Sequence, residues 1–350
     1  MYFQAFYEKF KNEFVYLKRE DEQLPSPLTC DIPDSMEHDT IVRRIPTLIL
    51  KRVVEGNAEY IKEHGLNNKL EKIKNLFINA DTCSYEMLEN KSDEKYWNFL
   101  LTYFNDRKIK IANNAWLFNE FYFYQYLLNA FNFEETLFDF FFYEKENAII
   151  YNKAVIEQIC TCAKKLIELY TVDKDRRIFF IFFFMSLWSN QYDCSWNESK
   201  NKEKQNQQSP PKENINNGIN KSTLHEKKLN FNTDNIDSLY NSFYFDKILC
   251  NNLNDIYVEM STQKNKRLDI ILDNMGVELI TDLCLLYFMS DYFENIIIHV
   301  KKTPVFVSDT MGKDIHYTLG ILCNDEQYPT TKYIASKWKE MIDKGIWKIR

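Results

Sequence analysis

Hydrophobic residues recur at intervals of three and four between Ile41 and Trp196, the spacing of amphipathic helices with one buried face. The first such stripe consists of Ile41, Ile45, Leu48, Ile49 and Val53. Pro46 falls about one turn into this helix, where its missing N–H is tolerated. The same spacing predicts further helices over Lys69–Ile78, Tyr96–Phe104, Ala115–Phe131, Ala154–Tyr170 and Arg176–Trp188. We therefore predict a helical region over residues 41–197.

Two stretches depart from this pattern. Several prolines between Leu24 and Asp39 disfavour a helix, so we predict that residues 1–40 form an extended lead-in. Between Glu198 and Asn235, nineteen of 38 residues are Asn, Lys or Gln. Such a composition buries too little apolar surface to offset the entropy of ordering the chain. We interpret residues 198–235 as a disordered insertion on a surface loop and leave a partner-binding role open.

Beyond the insertion, short strands alternate with helices. Apolar or β-branched runs predict strands over Leu268–Leu272, Asn295–Val300 and Pro304–Val307. Helices are predicted over Met275–Met289, from Met311 onward and over Lys332–Lys344. This alternation predicts a mostly parallel sheet with helices on its faces. We therefore predict an α/β protein, in which a helical N-terminal region precedes an α/β/α sandwich domain over residues 236–350.

Composition and charge narrow the classes of partner. The 350 residues are 45% hydrophobic and 16% aromatic, which is ample for a sizeable core. A net charge of −7, without a basic stripe among aromatics, argues against a nucleic-acid partner. The most apolar run, Ile178–Trp188, is much shorter than the about 20 residues that a bilayer requires, so we expect a buried helix and no membrane partner. The eight cysteines include no CxxC pair and no signal peptide opens the chain, so we expect a reduced cytoplasmic or nuclear compartment.

Polar side chains follow two of the predicted strands. Asp273 and Asn274 come directly after the first strand, and Asp309 follows the run Val305–Val307. Ligands of open α/β sheets bind just beyond the carboxyl ends of strands. Gly276 lets a backbone or phosphate approach closely, and the helix N-terminus beyond it offers N–H groups to an anion. Two carboxylates and an amide carbonyl are hard oxygen donors that suit Mg²⁺ or Mn²⁺.

These residues have a second interpretation. An Asp or Asn after a strand is often only the N-cap of the following helix, and the local pattern alone favours that structural role. Glu278 and Asp282, one turn apart, have a similar alternative, in which they interact only with the helix dipole. Lys301 and Lys302 could lie near the mouth of the pocket, although the pattern favours a solvated turn.

Five motifs resemble, in order from residue 41 to the C-terminal end, those of the damage-control phosphatase family. Residues 272–283 (LDNMGVELITDL) resemble its LDNxGxELxTDL signature. Residues 304–310 (PVFVSDT) resemble the PWFVSDTT of the eukaryotic branch, which is also described as a protein-glutamate methyltransferase. Residues 41–46 resemble the entry helix of that branch, residues 116–124 its WLxxExYxY helix, and residues 186–195 its LWGNKxDLS motif.

The resemblance implies a divalent metal, Mn²⁺, Mg²⁺, Co²⁺ or Ni²⁺, bound by Asp273, Asn274 and Asp309. Asp273 and Asp309 are the implied catalytic residues, and the attacking oxygen is left open between Asp273 and a water. The implied substrate is a phosphorylated small molecule. The residues implied to bind it are Glu120, Asn190, Asp193, Gly276 and Glu278. Taken without the resemblance, Glu120 and Asp193 are more typical of a helix cap or a solvated face.

Some positions depart from the family pattern. Gln125 and Tyr126 stand where the family has two arginines, and Ser189 and Gln191 replace the Gly and Lys of LWGNK. Family members continue through a KGDxNYRxL strand and an RTxK segment, which have no counterpart before Arg350. Either the sequence is a fragment of a longer chain or the protein has lost those elements; without them, we expect that metal binding can persist while phosphatase turnover is weak or absent.

We interpret the chain as a metal-dependent phosphatase of sugar phosphates, such as fructose 1-phosphate or fructose 6-phosphate, that acts in metabolite damage control. Two alternatives stay open. One is an S-adenosylmethionine-dependent protein-glutamate O-methyltransferase, although no glycine-rich methyltransferase loop follows a first strand. The other is a non-catalytic metal-binding or scaffold protein, which the missing cations favour.

Overall fold

The computed structural model describes residues 8–9, 26–89, 94–192, 236–243, 247–262 and 267–350. The chain divides into two compact units, Met1–Tyr143 and Glu144–Arg350. The insertion predicted over residues 198–235 lies outside the described residues.

The first unit is helical. Its helices are α1 (Met36–Asp39), a π-helix (Thr40–Ile49), α2 (Leu50–Gly56), α3 (Ala58–Glu63), α4 (Asn67–Ile78), α5 (Glu94–Asp106), α6 (Trp116–Ala130) and α7 (Phe133–Thr136). The helices predicted over Lys69–Ile78, Tyr96–Phe104 and Ala115–Phe131 are confirmed, with ends that differ by one or two residues. The π-helix buries Ile41, Ile45 and Ile49, so the predicted apolar stripe does face a core.

The expected position of Pro46 within its helix is wrong. Helical structure begins at Met36, inside the stretch predicted as extended, so Pro46 lies well beyond the first turn. Its ring would interrupt an ordinary α-helix at this depth. The chain adopts a π-helix instead, in which the Leu50 N–H reaches the Ile45 carbonyl five residues back. The π-helix, with its wider hydrogen-bond spacing, accommodates the proline.

The second unit contains a small parallel sheet and most of the long helices. Its helices are α8 (Phe142–Ile150), α9 (Lys153–Asp173), α10 (Arg176–Ser189), a 3₁₀ turn (Asn190–Tyr192), α11 (Ile236–Ser242), α12 (Leu253–Thr262), α13 (Val277–Met289), α14 (Gly312–Leu322) and α15 (Pro329–Asp343). Its strands are β1 (Arg267–Ile271), β2 (Asn295–His299) and β3 (Trp347–Ile349), in that spatial order. The predicted α/β class, with a parallel sheet and a helical N-terminal region, is confirmed.

The register of the strands builds the core of this unit. Leu268 pairs with Ile296, which pairs in turn with Trp347. Because side chains alternate along a strand, these three lie on one face of the sheet. That face packs into a core shared with α9, α10, α13 and α15. The run Ile178–Trp188 forms most of α10 and is largely buried, as predicted. Among the residues that the structure describes, no helix is both long and apolar enough to span a membrane.

Two strand assignments differ from the sequence prediction. The run Pro304–Val307 is not a strand, because Phe306 and Val307 have φ angles of 52° and 68°. The third strand is β3 instead, which pairs in parallel with β2. The cysteines in the described part of the chain are all free, as expected for a reduced protein.

Candidate metal centre at the strand ends

Two chain segments meet beyond the carboxyl ends of β1 and β2. The Thr310 N–H donates to the Asp273 carbonyl and the Met275 N–H to the Ser308 carbonyl, both at 2.7 Å. Asn274 and Asp309 form an antiparallel bridge between them. Asp273 follows β1 as predicted, whereas Asp309 follows a turn and not the strand predicted over 304–307; the backbone hydrogen bonds bring the two segments side by side.

Gly276 makes the turn from the first segment into α13. Its φ of 112° lies in a region that residues with a Cβ rarely adopt. A Cβ at this position would also lie 3.1 Å from the Ala148 Cβ. The glycine is therefore required by its backbone conformation and by the close approach of α8.

Asp273, Asn274 and Asp309 are not helix caps, so the alternative role that the local sequence pattern favoured for them is wrong. The N-cap of α13 is Gly276 and has no side-chain hydrogen bond, and the N-cap of α14 is Met311. Asp314, rather than Asp309, accepts the Met311 N–H, at 2.9 Å. Asp273, Asn274 and Asp309 are thus not the residues that begin these helices.

The Asn274 amide is oriented on both sides. Its Nδ2 donates to Glu278 Oε2 at 3.0 Å, and its Oδ1 accepts the Ser308 hydroxyl at 2.6 Å. The two contacts together define which amide atom is the oxygen. That oxygen retains a second lone pair, which is available to a ligand.

Asn190 joins this group from the C-terminal end of α10. Its Nδ2 lies 3.1 Å from Glu278 Oε2 and 3.4 Å from Asp273 Oδ2. Glu278, in the first turn of α13, is mostly buried between the two amides. The structure therefore places Asn190, Asp273, Asn274 and Glu278 in one hydrogen-bonded cluster.

Asp282 lies one turn further along α13 and is buried against α10, where it accepts the Ser186 hydroxyl. Its pKa is raised to about 7: burial has the largest effect, the Ser186 hydrogen bond lowers the pKa, and the charges of Glu278 and Asp273 add to the rise. A carboxyl buried in this way loses its proton at a higher pH than one in water.

Asp309 carries the second carboxylate. Burial raises its pKa to about 6, the charge of Lys301 lowers it, and the charge of Asp273 raises it. The Lys301 Nζ lies 3.2 Å from Asp309 Oδ2. The local pattern favoured a solvated turn for Lys301 over a place near the pocket; the side chain is 41% exposed, and its ammonium contacts the buried Asp309 carboxylate.

The connection before Asp309 is strained. The Ser308 N–H donates to the Phe306 carbonyl at 2.8 Å, which closes a three-residue turn around Val307. A positive φ is unfavourable for a β-branched residue, and such conformations concentrate at functional sites. The turn buries Val307 and directs Ser308 and Asp309 toward the first segment.

A buried ion pair lies at the start of α14, just after the segment that carries Asp309. Lys145 of α8 donates to Asp314 Oδ2 at 2.8 Å, and both side chains are 0% exposed. Because Asp314 also accepts the Met311 N–H, the pair links α8 to the start of α14. Lys145 also lowers the pKa of Asp309 through its charge.

The residues at this place fit a divalent cation. Burial is the main cause of the raised Asp309 pKa, and the charge of Asp273 adds to it, so the two carboxylates lie near enough to interact. With Asn274 Oδ1, they supply three hard oxygen donors. Within the described residues no group of three or more His, Cys, Asp or Glu side chains forms such a site, so the set depends on Asn274 as its third member.

Two predicted substrate-binding residues cannot be placed in this cluster. Glu120 belongs to α6 of the first unit, where burial raises its pKa and the charge of Arg44 lowers it. Asp193 lies outside the described residues.

Comparison with known proteins connects this geometry to a family. The model of the damage-control phosphatase ARMT1-like domain matches residues 40–350, which include every residue of the cluster. The chain belongs to this family. It is 25% identical to the damage-control phosphatase ARMT1 of Danio rerio, over 92% of this chain and 72% of that protein. It is likewise 25% identical to the damage-control phosphatase ARMT1 of Homo sapiens, over 93% of this chain and 74% of that protein.

Membership of the damage-control phosphatase family makes the chain a phosphatase, a class of hydrolase. The motif resemblance drew attention to Asp273, Asn274 and Asp309, but it did not single out Lys145, which lies outside those motifs. A lone lysine in a helix has no local signal that distinguishes a buried ion pair from a solvated charge. Only its contact with Asp314, 169 positions away, reveals the role of Lys145.

Proposed function

We propose that this chain is a metal-dependent phosphomonoesterase that hydrolyses phosphorylated small metabolites, with sugar phosphates such as fructose 1-phosphate or fructose 6-phosphate as substrates. The observation that carries the proposal is the convergence of Asp273, Asn274 and Asp309 at two neighbouring strand ends, in a chain of a phosphatase family. Polar groups of this kind beyond the carboxyl ends of parallel strands are typical of ligand sites in α/β proteins.

Asp273, Asn274 and Asp309 are the residues that would hold the metal, Mn²⁺, Mg²⁺, Co²⁺ or Ni²⁺. When bound, such a cation polarises a phosphoryl oxygen and neutralises charge on the transferring group. Ser308 and Glu278 hold the Asn274 amide in one orientation, with its oxygen on the Ser308 side. Asp273 is exposed, whereas Asn274 and Asp309 are buried, so solvent and substrate reach the site from the Asp273 side.

The surrounding residues would bind the phosphoryl group and the rest of the substrate. Asn190 presents an amide N–H at the edge of the cluster. The first turn of α13 begins at Gly276 and has backbone N–H groups without helical acceptors, which favour an anion.

The proposal is tested by measuring phosphate release from a panel of sugar phosphates with each of the four metals. Asp273→Ala and Asp309→Ala are each expected to lower kcat/KM by at least about 10³-fold, because the cation contributes several kcal/mol to transition-state stabilisation. Asp269→Ala is the matched control. Asp269 lies on β1 and pairs with Arg267 and His299, outside the cluster, so its variant should retain the wild-type rate.

Two results would contradict the proposal. Metal-loaded wild-type protein that releases phosphate from no member of a broad panel would leave only a metal-binding or scaffold role. Methyl transfer from labelled S-adenosylmethionine that survives Asp309→Ala would instead support the methyltransferase alternative.

A further inference from the structure

The backbone of Lys301 is fixed beside the proposed metal ligands. Its N–H donates to the Thr310 carbonyl at 2.9 Å, and Lys301 forms a parallel bridge with Met311. The preceding residue, Val300, donates to the Arg350 carbonyl at 2.9 Å. These backbone hydrogen bonds hold Lys301 beside the segment that carries Asp309.

The ammonium group of Lys301 has two contacts. Its Nζ lies 3.2 Å from Asp309 Oδ2 and 5.6 Å from the centroid of the Phe306 ring. A cation over an aromatic face is attracted by the ring quadrupole. Phe306 presents that face from a backbone with a φ of 52°, so part of the strain in this turn places the ring against the lysine.

The exposure of Lys301 differs from that of the other lysine near Asp309. The Lys301 side chain is 41% exposed, whereas Lys145 is 0% exposed and is bound to Asp314. Lys145 can influence the site only through its field, while Lys301 can reach a solute. A lysine ammonium has three N–H donors, so it can contact a carboxylate and a second anion together.

We infer that Lys301 is the phosphate-binding cation of this site, and that it neutralises Asp309 until a metal ion takes that carboxylate. The inference rests on the proposed function and adds a residue to it. A metal held by Asp309 would compete with the ammonium for this carboxylate, and the ammonium would then be available to an oxygen of the phosphoryl group. The compact charge of lysine suits a phosphate held by a metal on its other side.

The two parts of the inference predict effects of opposite sign for Lys301→Met. Loss of a charge-assisted hydrogen bond should raise the Kd of inorganic phosphate for the Mn²⁺-loaded protein by about tenfold to a hundredfold. Removal of a positive charge beside Asp309 should lower the Kd of Mn²⁺ by up to about tenfold. Both constants are measured on the full chain by isothermal titration calorimetry, with Mn²⁺ alone and then with inorganic phosphate.

Two further variants separate this role from a general effect of charge or folding. Lys302→Met removes the neighbouring, exposed lysine of the same loop and should change both constants by less than about twofold. Lys301→Arg keeps the charge and should recover most of the phosphate affinity that Lys301→Met loses.

The outcomes distinguish this inference from the proposed function. Wild-type protein that binds Mn²⁺ and phosphate, with Lys301→Met binding phosphate equally well, would overturn the role of Lys301 and leave the metal site intact. Lys301→Met that binds Mn²⁺ much more weakly would show that the lysine organises the site instead of competing with the metal. Wild-type protein that binds no Mn²⁺ would overturn both.

Discussion

The connections that follow β1 and β2 each bring one carboxylate to the same place, but they do so by different means. After β1, the chain passes through Leu272–Gly276 and turns directly into α13 on a glycine with a φ of 112°. After β2, a longer connection reaches α14 through a strained turn in which Phe306 and Val307 both have positive φ. The shorter connection therefore depends on glycine at position 276. The longer one depends on packing that stabilises the unfavourable backbone conformation of Phe306 and Val307.

The two connections also treat charge differently. On the first, acidic groups are held by neutral polar partners: Glu278 by two amides and Asp282 by a hydroxyl. On the second, each carboxylate lies against a lysine, Asp309 against Lys301 and Asp314 against Lys145. The side of the site formed after β1 is thus acidic, whereas the side formed after β2 also carries lysines that compensate the charge of its carboxylates. This asymmetry suits a group that is bound by a metal on one side and by an ammonium on the other.

The largest predicted effect on stability comes from the buried pair under the second connection. Lys145→Met should lower the free energy of unfolding by about 3–5 kcal/mol, because it leaves the Asp314 carboxylate buried without its cation. Urea denaturation monitored by circular dichroism measures the change. The double variant Lys145→Met with Asp314→Asn should recover much of the loss, since Asn can still accept the Met311 N–H without a charge.

Lys153→Met is the matched control for this prediction. Its lysine pairs with Asp325 in a partly exposed position, so the loss should be at most about 1 kcal/mol. Equal losses for Lys145→Met and Lys153→Met would mean that the second connection does not depend on its buried cation.

The raised pKa of Asp282, on the acidic side of the site, predicts that the free energy of unfolding depends on pH. The folded pKa of Asp282, about 7, lies above its unfolded value of about 3.9. Between these values the folded state keeps a proton that the unfolded state has lost, so the free energy of unfolding falls as pH rises, and the fall ends above about pH 7. In metal-free protein, Asp282→Asn removes this contribution. Its stability relative to wild type should therefore increase by about 2–3 kcal/mol from pH 5 to pH 8.

Urea titrations of both proteins at several pH values measure this difference. A difference that stays constant from pH 5 to pH 8 would mean that Asp282 is ionised in the folded state throughout, and that its burial does not raise its pKa.

The smallest predicted effect concerns the glycine of the first connection. Gly276→Ala should lower the free energy of unfolding by about 1–3 kcal/mol, because alanine is strained at a φ of 112° and its Cβ would meet Ala148. Gly320→Ala, in the exposed last turn of α14, should instead stabilise the protein by about 0.5–1 kcal/mol. Thermal denaturation of the two variants compares them directly, and a stabilising Gly276→Ala would contradict the requirement for glycine at the first connection.

The parts of this fold that could be predicted from sequence are those set by local periodicity. The helices α4, α6, α9 and α10, and the strands β1 and β2, follow from apolar spacing and β-branched runs. The strand predicted at Val305–Val307 is wrong, because the composition of this run is typical of a strand while its backbone forms a turn. The strand β3 is only three residues long and is defined by its pairing with β2, which no local pattern encodes.

The candidate site divides in the same way. Asp273, Asn274 and Asp309 could be found from their positions after apolar runs, although the sequence alone equally described helix caps. The roles of Lys301 and Lys145 could not, because a lysine's partner is determined by long-range packing. Lys301 meets Asp309 only because the strained turn and the backbone pairing with Thr310 bring the two segments together.

The most direct test of the account is a crystal structure of the protein soaked in Mn²⁺, with data collected for anomalous scattering. The account predicts one strong anomalous peak between Asp273 and Asp309, with oxygen atoms of Asp273, Asn274 and Asp309 within about 2.0–2.3 Å of it. The Lys301 ammonium should then have moved from Asp309 Oδ2. The absence of a peak at this place, or a peak held by other residues, would contradict the account.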